Sequence, residues 1–555
     1  MPTPPATSSE RASALALKGR PLRWGPAGLA ILAACTALGL WLRLGDLAAE
    51  GFADDEVHKW LAANRYLAGD FGGDDLEHPM LMKSLIALVL LIGRRLHWAP
   101  EVVTRLPNAV GGAMAVIALA FLGRRLFGRI AGLFAAALGA FSVSWIGYQR
   151  IAKEDILLGL FVLLLCLCIA EAKASIDGGE HKRARRFELG GALALAAAMA
   201  TKYYPYLPFI PVAAILWISR TDTAYRVTLK RWVQLALFSL LCWVCLNWMV
   251  LRPSTWIYMF NYIGRAKHGG RATHVTMQFM GRLYGQLFPG GWGRMPSWFY
   301  LVFLAVKQTP GAFLLCVGGL VWAIAKRYPS QRLVLAWMAV WFASHSIISG
   351  VKYARMFVPI FPAFFLLAGS AADWLIVWAR ARRSAVASGA MAGLLVAGSI
   401  VPELAASISH APHFRLYISP LGGGDRYVTW YFPHCDYFDA GFREAMEYIA
   451  HNAERQAEVS SEIDWTARYY AERSGREDFL FTMLRPGEAC GHGKVCYVVV
   501  QVGRLYEANR VAVEALSHRQ PWHVVPIRGV EVVKVYRLNA AETPFPGSSQ
   551  PPASE

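Results

Sequence analysis

The chain has 555 residues, 55% of them hydrophobic, with 20 Trp, 22 Tyr and 28 Phe, and a mean hydropathy of +0.33. That apolar load excludes an ordinary water-soluble enzyme and indicates a polytopic membrane protein. The formal net charge of +18 does not mark a nucleic-acid binder, because the basic runs fall between apolar segments, where they orient spanning helices.

Met1 to Arg23, rich in Pro, Ser and Ala, reads as a disordered cytoplasmic tail. Residues 25–43 form a first span; no small-residue cleavage site follows it, so it is not a removable signal. The loop over 44–105 carries Asp54, Asp55 and Glu56, then Val57-His58, and further on Glu77, His78, Pro79 and Lys83. Charges crowded against hydrocarbon are expensive, and such a cluster marks a functional site. The acids also suit the first turn of a helix over Val57 to Leu67, where negative charge is favoured.

Residues 81–93 are apolar but shorter than the ~20 a spanning helix needs. With that segment lying at the outer leaflet, the basic loops 123–129, 173–186, 220–231, 326–332 and 380–383 all fall on the cytoplasmic side. Spans are then expected at 25–43, 106–122, 130–148, 156–172, 188–201, 205–219, 232–251, 311–325, 332–348, 356–376 and 385–403, roughly eleven in all, with the C-terminus outside. The pair 188–201 and 205–219, broken at Tyr203-Tyr204-Pro205, reads as half-length helices around a polar cavity.

This topology sorts the remaining polar residues to one side. Arg105, then Arg150, Lys153, Glu154 and Asp155, then Lys202, Arg252 and the run Lys352-Tyr353-Ala354-Arg355 all fall at external helix ends. The loop over 252–310, with Trp256, His268, Arg271, His274 and Pro289 to Gly293, reads as an interfacial lid.

From about Arg415 the pattern changes to alternating helical and strand periodicity: helix 440–453, strand 457–463, helix 464–474, strands 479–484 and 494–501, helix 504–517, strands 523–528 and 531–538. A small external α/β domain over 415–540 is expected, followed by a disordered tail over 541–555. Cys490 and Cys496 would pair as a disulfide if that part is exported. Six of the other cysteines lie in apolar runs and read as packing residues.

The polar loop carries a resemblance. Asp55-Glu56-Val57-His58, followed by Glu77-His78-Pro79-Met80-Leu81-Met82-Lys83, resembles the first lumenal loop of the protein O-mannosyltransferases, whose pattern reads Phe-Asp-Glu-Val-His and then Asp-Val-His-Pro-Pro-Leu-x-Lys. The chain departs from it by an Ala-Asp insertion after Phe52 and by Met80 in place of the second proline. Lipid A aminoarabinose transferases share the wider pattern, and weaker similarities extend over most of the first 375 residues.

The resemblance implies a polytopic α-helical GT-C glycosyltransferase, with a polyprenyl-phosphate sugar as donor, a protein, lipid or glycan as acceptor, membrane lipid around it, and no nucleic acid. It implies Asp55 as the base, with Glu56 assisting. Glu77 and His78 would meet donor phosphate or a divalent metal ion, His78 serving equally as a helix cap. Lys83, Arg105, Asp155, Lys202, Tyr353 and Arg355 match family positions around the donor, and Arg355 ranks first as phosphate clamp because its fork suits phosphate. Lys83 reads also as a snorkelling side chain, and Arg105 and Arg355 as headgroup anchors. The extra lumenal domain of the eukaryotic enzymes has no counterpart, and no Asn-x-Ser/Thr site occurs, so a bacterial inner-membrane protein is expected. Two other readings stay open: a transporter or flippase of lipid-linked sugars, and a non-catalytic envelope assembly or sensor protein.

Overall fold

The computed structural model describes residues 24–72, 75–219, 227–267, 276–285, 295–349, 352–485, 489–490 and 495–539. Both expected tails, most of the 220–231 loop's start, and the lid residues His268, Arg271, His274 and Pro289 to Gly293 lie outside the described residues. Residues 26–201 form eight helices: α1 (Pro26–Leu44), α2 (Asp54–Leu67), α3 (Met80–Arg95), α4 (Pro100–Phe127), α5 (Arg129–Phe141), α6 (Val143–Gln149), α7 (Glu154–Asp177) and α8 (His181–Thr201). Proline stands at the start of α1 and α4, where its missing N–H costs nothing and its fixed φ suits the first turn.

Among the described residues six helices are long and apolar enough to cross a membrane, or up to eight if each bent pair is one span. The expected eleven is not reached by these criteria, because several apolar runs form helices too short, such as Phe209–Ser219 with 11 residues. The helix Leu229–Leu246 buries only Ser239, as a helix facing lipid would. Residues 81–93 fall in α3, a 16-residue helix that is not among the six.

Two expected spans differ in shape. The run 130–148 is not one helix: α5 and α6 meet at 61°. At the bend a buried side chain, Glu403, accepts the Val143 amide at 3.0 Å and the Thr309 amide at 2.8 Å and so caps two helix starts deep in the protein. The second is 188–201, which is no half-length piece; α8 runs for 21 residues, its first turns carrying Lys182, Arg183, Arg185 and Arg186. Only the break after Thr201 matches the expectation.

Close helix contact comes from small residues. A Cβ on Gly123 would stand 2.8 Å from the Gly132 Cα, and one on Gly132 only 2.5 Å from the Ala120 carbonyl oxygen, so α4 and α5 touch backbone to backbone. Buried Arg43 ties α1 to α5 and α6, donating to Gln149 Oε1 at 2.6 Å, to the Gly139 oxygen at 2.8 Å and to the Ala140 oxygen at 3.1 Å.

The C-terminal elements follow the expected order closely. Strands Glu458–Ser461 (β1), Leu480–Met483 (β2), Val495–Gln501 (β3), His523–Ile527 (β4) and Val530–Asn539 (β5) form one sheet in the order β2-β1-β3-β5-β4. The first two pairings are parallel and the last two antiparallel; the parallel β1–β2 pair is joined through the helix Asp464–Arg473, as a parallel connection requires. The last helix starts at Arg510 rather than 504, since Asn509 bonds back to the Arg504 oxygen and the Tyr506 amide and holds 504–509 as a loop. Cys490 and Cys496 are disulfide-bonded.

This part sits on the loop between α1 and α2. Arg443 donates to the Ala48 and Ala49 carbonyls, Arg473 pairs with buried Glu101 at 2.8 Å, and Tyr470 receives the Phe52 amide. Arg415 and His413 both meet Glu50. The segment 44–58 is thus gripped between the helical bundle below and the sheet-bearing part above.

Candidate active site

The site grows from the start of α7. Acids favour a helix N-terminus, and three consecutive residues, Lys153, Glu154 and Asp155, lead into it. Successive positions on a helix point about 100° apart, so each reaches a different neighbour. Lys153 pairs with Asp55. Glu154 meets Lys59 at 2.9 Å and His78 Nε2 at 3.7 Å. Asp155 takes both bonds from the Lys202 amine, at 2.8 and 2.9 Å, and lies 4.0 Å from Arg355 Nε.

Exposure separates the framework from what a substrate can reach. The side chains of Lys153, Glu154 and Asp155 are 2%, 1% and 0% exposed, whereas Asp55 keeps 34%, His78 21%, Arg355 15% and Lys202 14%. Partly exposed Asp55 and a group of partly exposed basic side chains therefore rim a buried charged floor, with partly buried Glu77 next to His78. Arg355 lies over the Tyr353 ring at 4.1 Å, and its Nε has no hydrogen-bond partner among the described residues. Lys202 stands 4.9 Å from the Tyr204 ring.

Glu56 and Arg105 come together, but away from solvent. Arg105 forks onto Glu56 at 2.9 and 2.6 Å and also donates to the carbonyls of Leu47, Glu50 and Gly51. Glu56 further accepts the Ala53 and Ala152 amides, and is fully buried. With its oxygens so occupied, Glu56 is a clamp that fixes α2 against α4 and the approach to α7. Lys83 is likewise internal, donating to the His78 oxygen at 2.9 Å and to that of Asp75.

Asp75, Glu77 and His78 place ligand-type atoms within 4.8 Å of one another, which makes them the natural place to test for a metal. Asp75 Oδ2 and Glu77 Oε2 are buried with no hydrogen-bond partner among the described residues, while the other groups of the set are already held by neighbours within the chain. His78 Nδ1 is 2.7 Å from Asp75 Oδ1, and the buried Lys83 ammonium is 3.5 Å from Asp75 Oδ2. Burial disfavours the His78 imidazolium, but Glu154 and Asp75 outweigh it and raise its pKa, while a metal ligand must be a neutral imidazole. Burial likewise opposes the Asp75 carboxylate, yet Lys83, Lys59 and His78 hold it below the usual range.

Of the residues expected at the site, Asp55, Asp155, Lys202, Tyr353 and Arg355 converge on the α7 start, with His78 and Glu77 beside it; Glu56, Lys83 and Arg105 are buried support. Lys59 and Asp75 escaped the sequence reading. Lys59 sits four residues after Asp55, on the same face of α2, and that spacing was the available signal. Two residues of the C-terminal part, Phe438 and Asp439, had no signal at all: Phe438 lies 5.8 Å from Lys153 and 5.9 Å from Arg355, and Asp439 accepts the Asp54 amide at 3.1 Å.

This helical bundle, with its charged rim fed by a loop after the first span, has the fold of the GT-C glycosyltransferases. Residues 77–249 match the family described as dolichyl-phosphate-mannose-protein mannosyltransferase, a range that begins at Glu77 and leaves out the Asp54 to Glu56 triplet. The structure is similar to that of ArnT from Cupriavidus metallidurans bound to undecaprenyl phosphate, with a TM-score of 0.53 at 15% identity over 92% of this chain and 98% of that one. It is also matched, at a TM-score of 0.48 and 11% identity over 85% of this chain and 69% of that one, by the oligosaccharyltransferase of Archaeoglobus fulgidus. No curated protein matches by sequence. The resemblance to the protein mannosyltransferases holds over 77–249, and the likeness to ArnT, one of fold, extends past residue 375 into the C-terminal part.

Proposed function

We propose that this chain is a membrane glycosyltransferase that moves a monosaccharide from a polyprenyl-phosphate donor to a hydroxyl of a protein, lipid or glycan. The observation that carries the reading is that Asp55 and the cations Lys202 and Arg355 flank one short stretch, Lys153 to Asp155. Arg355 and Lys202 take the donor phosphate, which leaves as a stable anion and needs charge stabilisation rather than a proton. Asp55 accepts the proton of the acceptor hydroxyl as its oxygen forms the new bond to the anomeric carbon. The carbon–oxygen bond to phosphate breaks on the opposite face, so one displacement inverts the centre. His78 and Glu77 line the side of the same rim.

The sidedness that fits this reading puts the rim and the sheet-bearing part outside a bacterial inner membrane, with about eleven membrane-embedded helical segments and the basic loops in the cytoplasm. The test is transfer of labelled sugar from polyprenyl phosphate by the purified protein, compared with Asp55→Asn and Arg355→Ala. Loss of transfer in both supports the reading. Uptake or flipping of lipid-linked sugar without any transfer product would replace it with a transporter.

A further inference from the structure

The turn Phe438–Asp439 belongs to none of the stretches that mark the site in the sequence, yet it touches both halves of it. Both residues have left-handed backbone, with φ of 45° and 64°, a conformation that L side chains adopt rarely and that persists only where the surroundings impose it. Here both flanks are pinned. Before the turn, Cys435 Sγ accepts the Ala354 amide at 3.4 Å, next to Arg355, and Asp436 receives the buried Lys307 amine at 2.7 Å. After it, the Asp439 carboxylate receives Arg504 through Nε at 2.7 Å and Nη2 at 2.5 Å, and Gln501 at 3.0 Å.

What this held conformation delivers is two placements. Asp439 Oδ2 accepts the Asp54 amide, a donor of the first turn of α2 that has no partner within the helix; the next residue along is Asp55. The Phe438 ring is 7% exposed and is ringed by cations: Lys153 at 5.8 Å, Arg355 at 5.9 Å and Arg415 at 6.0 Å. An aromatic face attracts cations without neutralising them, so it can space like charges while leaving them available to an anion.

We propose that the Phe438–Asp439 turn is a positioning element of the active site, Asp439 setting the start of the helix that presents Asp55 and Phe438 setting the spacing of Lys153 and Arg355. The C-terminal part of the chain thereby completes a site whose reacting groups lie in the membrane part. Neither residue touches substrate; each acts through its neighbour. The inference rests on the glycosyltransferase reading for its kinetic consequences, but the placement of the Asp54 amide does not depend on it.

The experiment uses full-length protein with Asp439→Asn, Phe438→Leu and Phe438→Tyr, measuring sugar transfer, melting temperature and hydrogen exchange of residues 52–60. A displacement of about 1 Å at a reacting group costs up to ~100-fold. Asp439→Asn is therefore expected to lower kcat about 10- to 100-fold with donor KM within about twofold, and to speed exchange over 52–60. Phe438→Leu is expected to raise donor KM about tenfold with little change in kcat, and Phe438→Tyr, which restores a ring, to return KM to the wild-type value. Wild-type kinetics in Asp439→Asn and Phe438→Leu overturn the proposal, as does a fall in both that merely tracks loss of folded protein. Asp55→Asn run alongside separates the failures: if it transfers like wild type, the base assignment fails. If no form of the chain transfers sugar, the glycosyltransferase reading fails, and exchange over 52–60 alone decides the turn, unchanged rates in Asp439→Asn refuting it and faster rates upholding it.

Discussion

Asp55→Asn is the most informative single change, because two accounts of Asp55 predict different recoveries. As the base, Asp55 contributes on the order of 10²- to 10⁴-fold to the rate. As a mere counter-ion, it neutralises the buried Lys153. Removing one partner of a fully buried pair costs about 3–5 kcal/mol, but Asp55 is 34% exposed, and Glu154 and Asp155 also stand by Lys153, whose pKa burial and Arg355 already hold well below its ordinary value. Solvent screening and these neighbours reduce the cost to roughly 1–2 kcal/mol. A membrane bundle of this size stays folded through a loss of that order, since domains have about 5–15 kcal/mol to lose. Unfolding therefore cannot mimic a hundredfold loss of transfer. The assay is single-turnover transfer of labelled sugar with parallel thermal melting, in wild type, Asp55→Asn, Lys153→Met and the double variant. In the counter-ion account Lys153→Met removes the stranded charge and rescues Asp55→Asn. In the base account the double variant stays about as slow as Asp55→Asn. Recovery of the double variant to within a few-fold of wild type would refute the assignment of Asp55 as base.

Three further outcomes are expected. Glu56→Gln, which keeps shape but strands the buried Arg105 guanidinium, lowers stability by about 3–5 kcal/mol, and whatever folded protein remains keeps a donor KM near wild type; a stable variant with lost turnover would instead make Glu56 a reacting group. The raised His78 pKa contributes stability that is full below the unfolded value near 6.5 and is lost as pH rises through the higher folded value, so His78→Asn lowers the melting temperature more at pH 6 than at pH 9. An equal or larger loss at pH 9 would contradict that sign. Dialysis against a chelator leaves transfer unchanged, because Lys83 and His78 already pair with Asp75; loss of transfer that zinc, magnesium or manganese restores would show that a dication displaces them.

Much of this protein was legible in one dimension, for a physical reason. Membrane helices must satisfy their own backbone and be apolar over a set length, so α1, α4 and α7 announced themselves as runs of apolar residues, as did the alternation that marks β3 and β5. Asp55, Asp155, Lys202 and Arg355 were visible because a charge beside hydrocarbon is costly and needs a reason to be there. The same argument flagged Glu56, Arg105 and Lys83 equally, although they form buried support, since cost alone does not distinguish a charge that works from one that braces.

That distinction belongs to the tertiary structure. Whether a carboxylate is wrapped by a guanidinium and two amides, as Glu56 is, or keeps a third of its surface open, as Asp55 does, depends on neighbours brought from distant parts of the chain. At the bend between α5 and α6 the Val143 amide is likewise met by Glu403, some 260 residues further on. The partnership of Asp54 with Asp439 spans 385 residues. Hydropathy and local propensity act over a few neighbouring positions and so can be read along the chain, whereas the pairing of buried charges is settled only when packing removes water and each ion must find its partner.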